Sequence, residues 1–391
     1  MKFEREIAIR EKYNVVVVGG GIAGIAASVA AARQGVSVLL IEKGINLGGL
    51  ATVGLISWYE PLCDGCGKQM IYGISEELIR LSAEYGFDNM PTKWGGAGRN
   101  KSRGVRFATY YSPTVFSLAL DKYVEDNGVS LRFDTLATYP MMEGNICNGI
   151  VAENANGCEL YEADMVIDAT GDASIFHRSG ANTVNGKNYM TYIAHCLTKE
   201  NADALAEDGN FCAARKWLNA GSNMVGVGHP EGMERLSGTT AEEINEFVIT
   251  GKRRMLNKIS EMPKDSFDLM ALPSMPQFRT VRRIVGNSDF CAVDGLEFSD
   301  SIGTCGDFRK QGMGNHYQIP FSALWNSERP NLLAAGRIIS APEGDGWEVS
   351  RVIPVCALTG EAAGRAAALC VNDNKRLSDI TPDDIERIKI N

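Results

Sequence analysis

One stretch constrains this chain more than any other: "YNVVVVGGGIAGIAASVAAARQGVSVLLIEK", from Tyr13 to Lys43. Four valines follow Tyr13 and Asn14 and read as a buried strand. Gly19, Gly21 and Gly24 then stand as G-x-G-x-x-G, with Ile22 and Ala23 leading into an alanine-rich helix that Gly35 closes. A second strand, "VSVLLIEK", ends in Glu42 and Lys43. The first glycine permits a tight turn, the second lets a pyrophosphate approach the backbone, and the third lets helix and strand pack closely. The helix N-terminus offers unpaired N–H groups and a partial positive charge to the phosphates. Glu42 falls eighteen residues beyond Gly24, where a carboxylate hydrogen-bonds a ribose hydroxyl. Strand, turn, helix, strand and acid in that order define a dinucleotide-binding unit. The eighteen uncharged residues from Val15 to Ala32 contain a G-x-x-x-G, yet the valines and glycines break them into strand and turn, so a membrane helix is not expected.

The 391 residues are enough for a large core and more than one domain. A net charge of −9 argues against nucleic acid as a partner, since phosphate backbones require a basic surface, but leaves room for a small anionic substrate held by local arginines. The opening "MKFEREIAIREKYN" has no apolar signal segment, so the ten cysteines are expected to be reduced thiols of a cytoplasmic protein.

Farther along, the chain continues through "NLGGLATVGLISW", a helix beginning near Ser75, a loop rich in glycine and basic residues ("WGGAGRNKSRGVR"), and the helix "SPTVFSLALDKYVEDNG". Strands follow, with a hairpin excursion at about 138–166 that returns to "MVIDATG". Between about residues 182 and 325 the βαβ regularity is lost, and "RPNLLAAGR" and "VIPVCALTGEAAGRAAALCVN" then supply another buried strand and a long final helix. The reading is an α/β fold: a Rossmann-like parallel-sheet domain formed by residues 1–181 and 326–391, with an inserted α+β substrate or cap domain over 182–325.

Four segments in this order resemble the FAD-dependent oxidoreductases whose FAD domain is that of glutathione reductase and fumarate reductase. They are the G-x-G-x-x-G turn, the pair Gly48 and Gly49, the A-T-G-D of Ala169 to Asp172, and the A-G-R of Ala335 to Arg337 followed by T-G-x-A-A-G at Thr359 to Gly364. The stretches Arg282 to Gly286 ("RRIVG") and Arg351 to Cys356 ("RVIPVC") are similar to those of a broad, mostly bacterial branch of unassigned substrates. The resemblance implies FAD, bound by Gly19, Gly21, Ile22, Ala23, Gly24, Glu42, Lys43, Gly48 and Gly49, with Thr170, Gly171, Asp172, Gly336 and Arg337 completing the site. It also implies that Ala51 and Thr52 line the flavin ring, that the backbone of Ala137 meets the adenine, and that the helix opening at Pro354 and Val355 aims its N–H groups at the flavin N1–C2=O edge. Residues 50–62 contain no histidine, where covalently flavinylated relatives carry one, so the flavin is expected to be non-covalent.

Cys63 and Cys66 form a C-x-x-C in "YEPLCDGCGKQ". A flavin–disulfide reductase would need a second nucleotide-binding turn, and none is present; Ala51 and Thr52 hold the place of its first cysteine. The histidines at 177, 195, 229 and 316 are scattered, so no metal site is expected. Catalytic candidates are His316 in "GMGNHYQIPF", Arg282 in "FRTVRRIVG" and Tyr59. Arg279 and Arg283 can hold a carboxylate or phosphate, Trp58 and Trp347 can frame an apolar substrate, and Glu343, Asp345 and Glu348 can act as acid or base. The expected reaction is hydride transfer between a small organic substrate and flavin N5, with room for a redox partner protein or a second copy of the chain. An electron-transfer flavoprotein subunit and a non-redox FAD-dependent hydratase or isomerase are the alternatives.

Overall fold

The structure is a computed structural model that describes residues 6–95, 106–223, 225–307, 309–344 and 346–390. Most of the glycine-rich basic loop at 94–106, and Asp345 among the acid–base candidates, lie outside the described residues.

The valine run forms strand β1 (Tyr13–Val18), the alanine-rich segment helix α1 (Ile22–Ala32), and the next apolar run strand β2 (Val38–Ile41). Strand β3 (Ser130–Arg132) lies beyond β2, and the meander β4 (Leu136–Glu143), β5 (Ile146–Asn154) and β6 (Gly157–Asp168) follows. Strand β7 (Leu332–Ala334) and helix α2 (Ile353–Asn372) come from the end of the chain. The strands β3, β2, β1, β6 and β7 lie side by side and parallel. Long β6 has two duties. Its first half pairs antiparallel with β5, while Ala163 to Asp168 pair parallel with β1. The meander therefore leaves the main sheet and returns to it within one strand.

Strand register places the site. Val18 pairs with Asp168, and Asp168 with Ala334, so the turns after β1, β6 and β7 emerge together at the carboxyl edge of the sheet. That edge is where open parallel sheets bind nucleotides. The inner strands β1, β2 and β7 are buried almost throughout; each interior Val, Leu or Ile stabilises the fold by roughly 1.5–3 kcal/mol.

Helices α1 and α2 pack with almost no side chain between them. A Cβ at Gly360 would lie 2.2 Å from the Ala23 carbonyl oxygen, and one at Gly364 2.1 Å from that of Ala27. The four-residue spacing on both helices aligns two small residues of each, and only glycine fits on α2.

A three-stranded antiparallel sheet sits apart, with Ile193–Thr198 between Lys216–Asn219 and Phe267–Ala271. Helix Ala241–Ser260 covers it, and Met190, Tyr192, Phe247, Met255 and Phe278 fill the space between. The hairpin of Ser301–Gly306 and His316–Pro320 does not join this second core: Ile302, Tyr317 and Ile319 pack with Val15, Leu333 and Leu358 in the main one. No helix among the described residues is long and apolar enough to cross a membrane.

Candidate active site

The glycine segments assemble through backbone contacts. Gly19 takes φ +103°, and a Cβ there would meet the Ala169 carbonyl oxygen at 2.5 Å, while one at Gly24 would lie 1.9 Å from the carbonyl oxygen of Gly19. Both positions thus exclude any side chain. Gly21 differs: its φ of −70° suits any residue, and a Cβ would meet nothing of the protein within 4 Å. The open space it faces is bounded by Gly48 and Gly49, since Gly21 bridges to Gly48 and a Cβ on Gly49 would approach Gly21 Cα at 3.3 Å. Ile22 and Ala23 open α1, whose cap at Gly21 supplies no side chain, so its first N–H groups remain available to phosphate oxygens.

Glu42 is half-buried at the end of β2, and its carboxylate accepts from the N–H groups of Gly20 and Gly44, both at 2.7 Å. The acid therefore braces the turn, and each oxygen retains a lone pair for a ribose hydroxyl. Lys43 is exposed beside it. Ala137 is buried at the start of β4, where its carbonyl accepts from Arg178. Thr170, Gly171 and Asp172 form the turn after β6, held by the Asp168 carboxylate, which accepts from Thr170 N and Oγ1 and from the N–H groups of Ile175 and Phe176.

Gly336 donates its N–H to Thr359 Oγ1 at 3.0 Å, tying the turn after β7 to α2. Arg337 is the hub of the site. Its Nε donates to the Gly171 carbonyl at 2.6 Å, its Nη1 donates to the Phe278 carbonyl at 2.9 Å, and its own carbonyl accepts from Trp347 Nε1 at 2.6 Å. Pro354 and Val355 lie in the first turn of α2, whose cap, Val352, again has no capping side chain. Ala51 and Thr52 are buried, with the Ala51 carbonyl accepting from Tyr111 and Thr52 Oγ1 donating to Leu47. Thus every residue expected to hold the dinucleotide, apart from the peripheral Ala137 and Lys43, stands on a turn or helix end at one edge of the sheet. An FAD fits here on a specific observation: the space beyond Gly21 is one that a Cβ would fill, between two helix N-termini.

The second core reaches this edge along residues 53–57. Ser274 N donates to the Val53 carbonyl at 3.0 Å, and Gln277 Nε2 donates to the Gly54 carbonyl at 2.7 Å. Leu55 adopts φ +60°. Ser57 Oγ accepts from Trp217 Nε1 at 3.2 Å. Trp58, Tyr110 and Trp217 make an aromatic wall, with ring centroids 4.4 Å apart for Trp58–Tyr110 and 5.9 Å for the edge-on Tyr110–Trp217 pair.

His195, absent from the sequence-derived candidates, is buried in this group, its Nε2 3.1 Å from the Leu55 carbonyl oxygen and 3.4 Å from Ser57 Oγ. Burial, and next the positive charge of Arg215, push its pKa down to about 4 against the bond to Leu55. The ring is therefore neutral at pH 7, with Nε2–H donating to Leu55. Nη1 of Arg215 is buried without a hydrogen-bond partner.

The three catalytic candidates from the sequence do not converge. Tyr59 is fully buried, and its hydroxyl donates to the Ser75 carbonyl at 2.7 Å. Arg282 spans the two cores, donating to the carbonyls of Asp172 and Thr239. His316 is 3.1 Å from Asp64 Oδ2 in the CDGCG turn. Burial pushes Asp64 up, but the bonds from His316 and from the N–H groups of Cys66 and Lys68 outweigh it and hold its pKa below the usual range. Cys63 is buried and Cys66 exposed, and both are free thiols. Burial pushes the Cys63 thiol up to about 12. Arg283 lies over the Trp347 ring, 6.0 Å from its centroid, and Trp347 is itself fully buried. Among the described residues no group of three or more His, Cys, Asp or Glu is arranged to hold a metal ion.

The sequence profile described as FAD dependent oxidoreductase matches residues 14–229 and 221–389, and the chain belongs to that family. The chain is 54% identical over 253 residues to the vinyl phenol reductase of Lactiplantibacillus plantarum, covering 57% of this chain and 48% of that protein. To the digeranylgeranylglycerophospholipid reductase of Methanoculleus marisnigri it is 22% identical over 313 residues, covering 76% and 70%. A similar reductase of Methanothermobacter thermautotrophicus is 30% identical over 188 residues, with only 43% of its length matched. Among solved structures, a geranylgeranyl bacteriochlorophyll reductase-like protein of Thermoplasma acidophilum superposes with a TM-score of 0.51 at 15% identity, covering 97% of this chain and 83% of that one; the likeness is one of fold. Family membership makes the protein a FAD-dependent oxidoreductase, and the comparisons do not favour the electron-transfer-subunit or non-redox alternatives.

Proposed function

We propose that this protein binds FAD non-covalently and reduces the conjugated C=C bond of a small planar aromatic molecule. When bound, FAD supplies the two electrons as a hydride from N5, an external reductant replenishes them, and solvent provides the accompanying proton. The observation that carries this reading is the aromatic wall of Trp58, Tyr110 and Trp217, fixed through Ser57 a few residues beyond Ala51 and Thr52. Tilted and edge-on aromatic faces favour a flat π-system held against the ring-lining segment. The similarity to a vinyl phenol reductase supports it, since the vinyl group is the reducible C=C of that substrate.

His195 is a positioning residue in this reading. Its proton is committed to the Leu55 carbonyl, and its low pKa leaves it neutral, so it fixes residues 55–57 rather than protonating substrate. Tyr59 and Arg282 take structural roles, because both spend their polar groups on backbone carbonyls. His316 belongs to the Asp64 turn. We place the protein in the cytoplasm, with a small molecule rather than nucleic acid as substrate, consistent with the net charge of −9.

The test is anaerobic turnover of 4-vinylphenol with a reduced viologen as electron donor. Formation of 4-ethylphenol at a rate that depends on enzyme-bound FAD supports the reading. The absence of any saturated product from 4-vinylphenol and from cinnamate contradicts it.

A further inference from the structure

Arg279 and Arg351 are brought to the same place by one residue. Arg337 donates to the carbonyl of Phe278, immediately before Arg279, and accepts from Trp347, one turn before Arg351. The loop carrying Arg279 is pinned on three sides: Gln277 donates to Gly54, Arg337 to Phe278, and the N–H of Arg279 itself donates to Asn188 Oδ1 at 2.9 Å. Arg351 directly precedes the cap of α2, whose N-terminus faces the flavin edge in the reading above. The backbones of both residues therefore stand where the second core meets the ring-lining segment and the helix end.

Among the described residues, neither guanidinium donates a hydrogen bond or forms an ion pair; Arg279 has only the like charge of Arg351 beside it. Glu348 and Glu60 act on Arg351 through space without touching it. The neighbouring arginines contrast sharply. Arg309 is paired with Asp307 and Arg283 lies near Asp289, while Arg282 and Arg337 donate to carbonyls. Burial, and then the charge of Arg351, push the Arg279 pKa down to about 10, which still leaves Arg279 charged at neutral pH; burial lowers that of Arg351 as well, against the pull of Glu348 and Glu60. Two half-buried guanidinium groups that feel each other's charge and pair directly with no carboxylate among the described residues are costly unless an anion is bound to them.

We propose that Arg279 and Arg351 form an anion clamp that binds the carboxylate of the substrate, making the preferred substrates unsaturated aromatic acids rather than neutral vinyl arenes. This rests on the function proposed above and extends it to the substrate's charged group. A carboxylate matches the planar fork of each guanidinium, and the aromatic wall takes the ring at the other end.

The experiment is a titration of the oxidised, FAD-loaded protein with cinnamate and with its neutral counterpart cinnamyl alcohol, following the flavin visible band. Charge-assisted hydrogen bonds of this kind predict that cinnamate binds about tenfold or more tightly than the alcohol. Arg279→Gln and Arg351→Gln should each remove that preference while leaving alcohol binding unchanged, and Arg279→Lys should retain part of it. Equal affinities in the wild type overturn the clamp, as does a preference that survives in Arg279→Gln with normal flavin content and thermal midpoint. Should Arg279→Gln fail to fold, a full preference kept by Arg279→Lys and lost by neither Arg351→Gln nor Arg351→Lys overturns it equally. Arginine-dependent binding of cinnamate without its reduction would sink the C=C reading and leave the clamp standing. Reduction of 4-vinylphenol with no carboxylate preference does the reverse.

Discussion

His195 and Leu55 are 140 positions apart in the chain, and the Nε2 of one is 3.1 Å from the carbonyl oxygen of the other. Leu55 is held at φ +60°, a left-handed conformation that disfavours a branched side chain by on the order of 1 kcal/mol. The bond from His195 fixes that turn, and with it the course of the chain from Ala51 to Ser57.

A pH dependence follows. The His195 pKa falls from an ordinary 6.5 to about 4 on folding. The unfolded chain therefore binds more protons between those values, so this stabilisation is complete above about pH 6.5 and is lost as pH falls toward about 4. The loss is on the order of 1–3 kcal/mol across that window. Thermal midpoints measured from pH 7.5 to pH 4.5 should fall more steeply in the wild type than in His195→Gln. Parallel curves would show that His195 titrates normally.

Gly21 and Gly360 should respond to the same substitution in different ways. Gly360→Ala forces a Cβ within 2.2 Å of the Ala23 carbonyl oxygen and should destabilise the apoprotein by roughly 1–3 kcal/mol or more. Gly21→Ala meets no protein atom, so the apoprotein should melt as the wild type does. It should nonetheless lose FAD affinity by about tenfold or more, because the methyl displaces a charge-assisted phosphate contact. Calorimetry of the apoproteins together with fluorescence titration by FAD separates the two. Normal FAD binding by Gly21→Ala would place the pyrophosphate elsewhere.

The thiols of the C-x-x-C should behave separately. Exposed Cys66 should alkylate readily, while burial and a pKa near about 12 leave Cys63 unreactive in the native protein. Cys63→Ser and Cys66→Ser should each keep wild-type turnover, and anaerobic reduction should take about two electrons per flavin. Uptake of about four, dependent on both cysteines, would make the pair a second redox centre.

Trp217→Leu removes the edge-on face of the aromatic wall and the donor to Ser57. It should raise KM for aromatic substrates by roughly tenfold, in line with the loss of one aromatic contact and one hydrogen bond, with a smaller change in kcat. Steady-state kinetics with 4-vinylphenol and cinnamate measure the split. Unchanged KM values for both would remove Trp217 from the substrate site.

The turns of the proposed nucleotide site were legible because the determinants of their backbone geometry are local. A G-x-G-x-x-G turn needs its glycines for contacts made within a few residues or with the adjacent strand, as the approach of Gly24 to Gly19 shows. The proposed substrate end was not. Ser57, His195 and Trp217 meet through the cap's antiparallel strands, and no spacing in the sequence announces them. His195 looked like one of four scattered histidines. Its place in the apolar run "YIAHCL" was the one signal for burial, and it was weak. Arg282 stands out in the sequence as part of an arginine run, yet it is Arg279 whose guanidinium has no hydrogen-bond or ion-pair partner among the described residues, while Arg282, on a paired strand, donates to two carbonyls. Close approach of α1 and α2 was visible only as small residues in each helix; that Gly360 faces Ala23 required the fold.

The most direct test of the account is a single-turnover experiment. The holoprotein is reduced with one equivalent of dithionite under argon, mixed with 4-vinylphenol or cinnamate, and followed at the flavin band near about 450 nm. The account predicts full reoxidation with one saturated product formed per flavin. Reduced flavin that persists with both compounds and reoxidises only when oxygen is admitted would contradict it.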